Sequence, residues 1–226
     1  MFTQQKHLRL PFALIFASAL LFLSPEIAIA NDHMENDHGD QKLVYKVFRK
    51  GDNIGRHEVE FENEENGTLK VEIDTDVKVK LAFVTVYRFD HEGEEIWRDG
   101  KLVGYRSKTN DDGKKKTLQL SGTADTVTAE GSAGRFTFPQ PVMPASLWNI
   151  ATVEQTQLMN TLDGHMMAVS ITRVGAETIR AGGQDIEAVH YVMTGELERE
   201  MWYAEDRLVH LRFKGSDGST IDYELQ

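Results

Sequence analysis

From Leu69 to Phe83 the chain alternates with hardly a fault. Leu69, Val71, Ile73, Thr75, Val77, Val79, Leu81 and Phe83 fall on one side, and Lys70, Glu72, Asp74, Asp76, Lys78, Lys80 and Ala82 on the other. A period of two is the signature of a β-strand with one buried and one wet face. At about 3.3 Å per residue the run would span roughly 50 Å, whereas strands usually stop near 10 residues. It therefore either bends across a curved sheet or conceals a hairpin. Val59 and Phe61 alternate with Glu58, Glu60 and Glu62, and Ile221, Tyr223 and Leu225 with Asp222 and Glu224. Turn signals separate such runs: KGDN, NEENG, DHEG, RDGK, NDDGK, GSAG, AGGQD and GSDGS. Their spacing, near 8–12 residues, predicts an antiparallel meander curling towards a barrel or sandwich.

One stretch breaks the pattern, PQPVMPASLWNIATVEQTQLMNTLDG. Pro139, Pro141 and Pro144 exclude an interior strand. Thr152 followed by Gln155 has the form of a capping box, and Gly164 is placed to end the helix it starts. The expectation is a short helical insert over about 139–164, with Leu147, Trp148, Ile150, Leu158, Met159 and Leu162 covering the sheet. On either side of it lies a repeat. EIWRDGKLVGYRSKTNDDGKKKTLQL matches EMWYAEDRLVHLRFKGSDGSTIDYEL with one compensated gap, Trp97 to Gly113 against Trp202 to Gly218. Each copy reads as strand, tight turn, strand, Asp-Gly turn, strand. The predicted fold is all-β: an antiparallel meander forming a curved sheet or half-barrel from two pseudo-repeats, with a short helical insert.

At these residues the chain resembles a family of exported bacterial proteins known as a domain of unknown function. The resemblance rests on Tyr45-x-Val47 leading to Gly51-x-x-x-Gly55, and on Trp97-Arg98-Asp99-Gly100-Lys101-Leu102. Towards the end come Trp202 with Leu208, and Asp217-Gly218 with Tyr223. It covers about residues 42 to 225. It implies an all-β periplasmic domain and brings no catalytic residues. In general plan the chain is also similar to the half-barrel carriers that shuttle lipid-modified cargo across the periplasm.

The first thirty residues read as a secretory signal peptide. Lys6, His7 and Arg9 precede an apolar run from Leu10 to Leu23, and Ala28-Ile29-Ala30 supplies the small residues of a cleavage site. The run falls short of the roughly 18 residues that span a bilayer, so no membrane anchor is expected after cleavage. A leader over 31–41 and one β domain over 42–226 then follow, secreted or periplasmic. Cysteine is absent, which removes disulfides, iron–sulfur ligation and thiol nucleophiles from consideration. Without Lys6, Arg9 and Glu26 the formal charge moves from −11 to −12. That balance disfavours nucleic acid and anionic membrane surfaces.

Cleavage after Ala30 would leave Asn31-Asp32-His33 at a free amino terminus. The amine, two deprotonated amides and the His33 imidazole form a square-planar nitrogen set suited to Cu(II) or Ni(II). The competing reading is a short solvated acidic leader. The other histidines, His57, His91, His165, His190 and His210, are scattered without ligand spacing. His57 shares parity with Val59 and Phe61, which turns it inward as a hydrogen-bonded core residue. No nucleophile elbow, phosphate loop or dinucleotide fingerprint is present. A catalytic carboxylate pair stays open, since acids are plentiful. Lys114, Lys115 and Lys116 fit a hairpin edge guarded against strand addition.

Phe136, Phe138, Met143, Trp148, Met159 and Met167 gather around the insert. They either line an apolar cavity at the mouth of the curved sheet or plug it as core. Three functions follow. The leading one is a non-enzymatic binding or carrier module for an apolar small molecule or lipid. The others are copper or nickel handling through the amino terminus and a carboxylate-dependent hydrolase.

Overall fold

The computed structural model describes residues 41–123 and 125–226. Fourteen strands make up nearly all of its regular structure. In chain order they are β1 (Lys42–Arg49), β2 (Asp52–Asn63), β3 (Thr68–Leu81), β4 (Val84–Arg98), β5 (Lys101–Asp111), β6 (Lys114–Gly122) and β7 (Thr126–Gly131). Then come β8 (Gly134–Pro139), β9 (Gln157–Met159), β10 (Met166–Ala181), β11 (Gln184–Gly195), β12 (Arg199–Ala204), β13 (Arg207–Lys214) and β14 (Thr220–Leu225). All belong to one antiparallel meander ordered β8-β7-β6-β5-β4-β3-β2-β1-β14-β13-β12-β11-β10-β9. β1 pairs with β14, which joins the two arms of the meander at its centre, and β8 and β9 remain as edges, so the sheet is not closed into a barrel.

Turn chemistry sets the registers. Asp112 and Gly113 hold φ of 49° and 89° between the paired residues Asp111 and Lys114, and Asp99-Gly100 does the same between Arg98 and Lys101. Left-handed pairs of this kind match the right-handed twist of the flanking strands. The long alternating run resolves into most of β3 plus the turn at Ala82-Phe83, and β3 bends at a bulge between Val79 and Lys80. Further bulges interrupt the pairing at Val47/Phe48, Ile96/Trp97, Arg173/Gly175 and Trp202/Tyr203. Each inserts a kink that lets strands of 14–16 residues curve instead of projecting flat. The repeat appears as β4-β5-β6 and β12-β13-β14. Each copy carries a bulge beside its tryptophan, and Gly113 and Gly218 occupy matching left-handed turns.

The segment between β8 and β10 departs from the helical expectation. Its only helical element is a 3-10 turn, Ile150–Glu154, capped by the Asn149 side chain bonding the Ala151 amide at 2.9 Å. Thr152 lies buried inside that turn and Gln155 ends it, so the capping box does not form. Gly164, at φ 85°, closes a turn leading to β10 instead of a helix. Contacts with the sheet override the local preference. Tyr203 donates to the Leu147 carbonyl at 2.6 Å, and Tyr105 and Ser107 both donate to the Thr161 carbonyl, at 3.0 and 2.8 Å. Leu158 and Met159 enter β9, and Pro144 bridges its outer edge, which masks it from strand addition.

The insert plugs the concave face. Trp148 meets Phe61 and Trp97 edge-on at ring separations of 5.2 and 5.7 Å, and each such pair contributes about 1 kcal/mol beyond burial. Both indoles, Trp97 and Trp148, donate to one carboxylate oxygen of the fully buried Glu95, at 2.8 and 2.9 Å. Burial pushes the Glu95 carboxyl above the usual range, against the pull of hydrogen bonds from Ser146, Trp148 and Trp97. A second cluster of Leu158, Met167, Met193, Met201, Tyr203 and Leu211 packs under Leu147.

Candidate functional site

Beside these two clusters the packing loosens. Val47, Val77 and Ile221 form a small third cluster with Ile54, Phe89, Phe213 and Tyr223 half-buried against it. Above them opens a cavity of about 580 Å³. Its floor comes from β1 to β4 and from β13 and β14, and the insert closes one side through Ala145, Ser146, Leu147, Thr161 and Leu162. Val, Ile, Leu and Phe side chains supply most of its apolar surface, as alternation on the inward face requires.

Polar residues are interspersed with the apolar ones, and those on the floor form an ordered row. His57, Thr75, His91 and Thr109 stand directly opposite one another in register across β2, β3, β4 and β5. His57 Nδ1 lies 2.8 Å from Thr75 Oγ1, and His91 Nδ1 lies 2.8 Å from Thr109 Oγ1. Each threonine hydroxyl therefore occupies one ring nitrogen and fixes the imidazole across the sheet. Burial lowers the pKa of His57 to about 4, with repulsion from His91 adding to the effect and Glu58 opposing it. Burial alone lowers His91 to about 4. Both rings are neutral at pH 7. Gly93 makes room for this row, since a Cβ there would stand 3.1 Å from His91 Nε2 and 3.2 Å from the Tyr105 hydroxyl.

Other polar groups bound the cavity, Arg199, Tyr223 and Asp217 among them. Arg199, at the start of β12, lays its guanidinium over the Phe213 ring at 4.2 Å and donates to the Glu198 carbonyl at 2.7 Å. Burial lowers its pKa. Burial pushes Tyr223 up to about 12. At the rim, Asp217 bonds Ser219 and pairs with Arg49, and these contacts hold its carboxyl far below the ordinary range. Asp217 is the one carboxylate in the lining among the described residues. A larger hollow of about 870 Å³ lies among outward-facing charged side chains such as Lys42, Glu58, Glu60 and Arg106. Those groups are already ion-paired, Lys42 with Glu58 and Glu60 and Arg106 with Glu94. It is the solvated face that the alternation requires, and the more apolar cavity is the better candidate.

The residues singled out in the sequence lie elsewhere. Trp148, Met159 and Met167 are buried in the two main clusters. Met143 packs between those clusters. Phe136 and Phe138 are half-buried and stacked on the edge strand β8 at 6.0 Å. None of the six lines the cavity. The insert does form one wall, through neighbours of those residues. His57 faces inward as its parity requires, but His91, Thr75, Tyr87, Phe89, Arg199 and Phe213 carry no local signal beyond alternation. Asn31, Asp32 and His33 lie outside the described residues, as do the signal segment and most of the leader. Among the described residues no group of three or more His, Asp or Glu side chains is arranged to hold a metal ion.

No curated protein matches the sequence. Among solved structures, the fold is similar to the crystal structure of a beta-barrel-like protein of domain of unknown function DUF1849 from Brucella abortus. The TM-score is 0.55 at 12% identity, covering 82% of this chain and 95% of that one. At that identity the likeness bears on the fold alone. The sequence pattern described as Domain of unknown function (DUF6134) matches residues 45–226, from the first strand to the last residue. The chain belongs to that family.

Proposed function

We propose that this protein is an exported, non-enzymatic binding or carrier module for an apolar small molecule or lipid, held between the curved sheet and the insert. The observation that carries this reading is the cavity of about 580 Å³, whose surface is largely apolar with polar groups placed among it. Small-molecule sites occupy about 300–1,000 Å³ and have this make-up. The neutral His57 and His91 rings suit an uncharged or weakly polar group resting on the floor, and Arg199 offers one cationic contact. Export is supported by the leader pattern in the sequence. The hydrolase reading needs two acids in one cleft. This cavity offers Asp217 alone, committed to Arg49 and Ser219, and in the larger hollow Glu58 and Glu60 are paired with Lys42 and Glu94 with Arg106.

The test is binding of 1-N-phenylnaphthylamine, whose fluorescence rises in apolar surroundings. The wild type takes up the probe. Ala145→Phe, which adds a ring at the cavity wall, weakens uptake by about ten-fold, with a thermal melt confirming that the variant is folded. Equal uptake by the two proteins, or none by the wild type, would overturn the proposal.

A further inference from the structure

The hairpin of β3 and β4 carries an unusual end. Leu81 is 72% exposed, Phe83 102%, Val84 65% and Val86 50%. Four large apolar side chains thus stand in solvent at the turn of two strands of 14 and 15 residues. Single exposed hydrophobics are ordinary, but a contiguous apolar tip marks an interaction surface.

Charge says what surface it fits. The chain as a whole is strongly acidic, at −11. Between Val77 and Phe89 the charged residues are Lys78, Lys80 and Arg88; Lys78 pairs with Asp76 and Arg88 with Asp90, which leaves Lys80 as the charge nearest the apolar turn. A narrow apolar tip with a lysine behind it and no acid within it has the make-up of elements that sit in a bilayer interface. A protein interface would need on the order of 800 Å² per partner, which the end of a two-stranded ribbon does not offer. Backbone pairing is compatible with insertion as well. Leu81 and Val84 close the ladder at the tip, leaving only the turn to be solvated at headgroup depth.

The hairpin is also part of the cavity. Val77 and Val79 on β3, and Val86, Tyr87 and Phe89 on β4, line it. Val86 does both, half-exposed near the tip and facing the cavity. We propose that Leu81 to Val86 is a bilayer-docking element, which inserts Phe83 and its neighbours among lipid headgroups and brings the cavity's open side to the membrane surface. The docking step itself needs no occupant in the cavity.

Vesicle flotation of the processed chain recovered from expressing cells tests this. Vesicles of phosphatidylcholine, alone and mixed with phosphatidylglycerol, are the probe. The wild type floats with both, because apolar insertion leads. The double variant Leu81→Ser, Phe83→Ser lowers the bound fraction at least about ten-fold, the loss expected for two large side chains withdrawn from lipid. It melts with the wild type, since those side chains stand in solvent. Ala145→Phe floats like the wild type, which separates this proposal from ligand binding. A wild type that stays with the protein fraction, or a double variant that floats equally, overturns it. So does a wild-type dimer in sedimentation velocity that the double variant abolishes without any flotation, because the tip would then be a contact between two copies.

Discussion

His91 and His57 are the residues through which pH reaches this fold. Each is held neutral in the folded chain with a pKa near 4, against 6.5 when exposed. A base whose folded pKa is depressed stabilises the fold fully above its unfolded pKa, and that stability is lost as pH falls from 6.5 through 4. For the well-buried His91 the loss over that window is on the order of 3 kcal/mol. His57 contributes less, because it is only half-buried where it faces the cavity. Glu95 works the other way, its raised pKa adding stability as pH falls, so the wild-type profile alone mixes both signs. Urea unfolding of the wild type against His91→Gln isolates the histidine. The wild type loses stability relative to the variant between pH 7 and pH 4, and parallel profiles would contradict the assignment. At this scale the sequence was half legible. Parity alone turns His57 inward, but the His57-Thr75-His91-Thr109 row exists only once registers across four strands are known. The methionines and aromatics near the insert look the same in composition whether they plug a sheet or line a cavity. Here Trp148 is fixed as core by Glu95, 53 residues away in sequence.

At the scale of elements, close approach and turn chemistry decide the geometry. Gly55 sits opposite Val77, beside the Val47/Phe48 bulge. A Cβ there would fall 2.0 Å from the Asp76 carbonyl oxygen and 2.8 Å from the Val77 Cα, both backbone atoms that cannot swing aside. Gly55→Ala is therefore expected to cost at least about 2 kcal/mol. Calorimetry should show the midpoint falling by roughly 5–10 °C, and an unchanged midpoint would mean that β2 and β3 stand farther apart there. Strands and hairpins were readable because alternation and Asp-Gly pairs are local signals. The meander's two arms match the repeat for the same reason. The helix expected over 139–164 was not readable, because what flattens it is distant: Tyr203, Tyr105 and Ser107 bond its carbonyls, and β10 recruits Leu158 and Met159 into a strand. Helical preference is a weak prior that such contacts override.

For the whole molecule, an open curved sheet with a strapped insert is a means of keeping an apolar interior incompletely filled. The two larger clusters are packed, and the third leaves room beside it. A domain of this size without disulfides needs the first two for stability, and the proposed ligand sits beside the third. The likeness to another barrel-like domain of unknown function extends to the sheet and no further. The most direct measurement is native mass spectrometry of the processed protein from expressing cells, followed by denaturation of the same sample. A native mass exceeding the denatured mass by a small apolar molecule, lost on unfolding and absent from Ala145→Phe, is the predicted result. Identical native and denatured masses for the wild type, in a protein that also fails to take up an apolar probe, would contradict the account and make the cavity unused space beside the core.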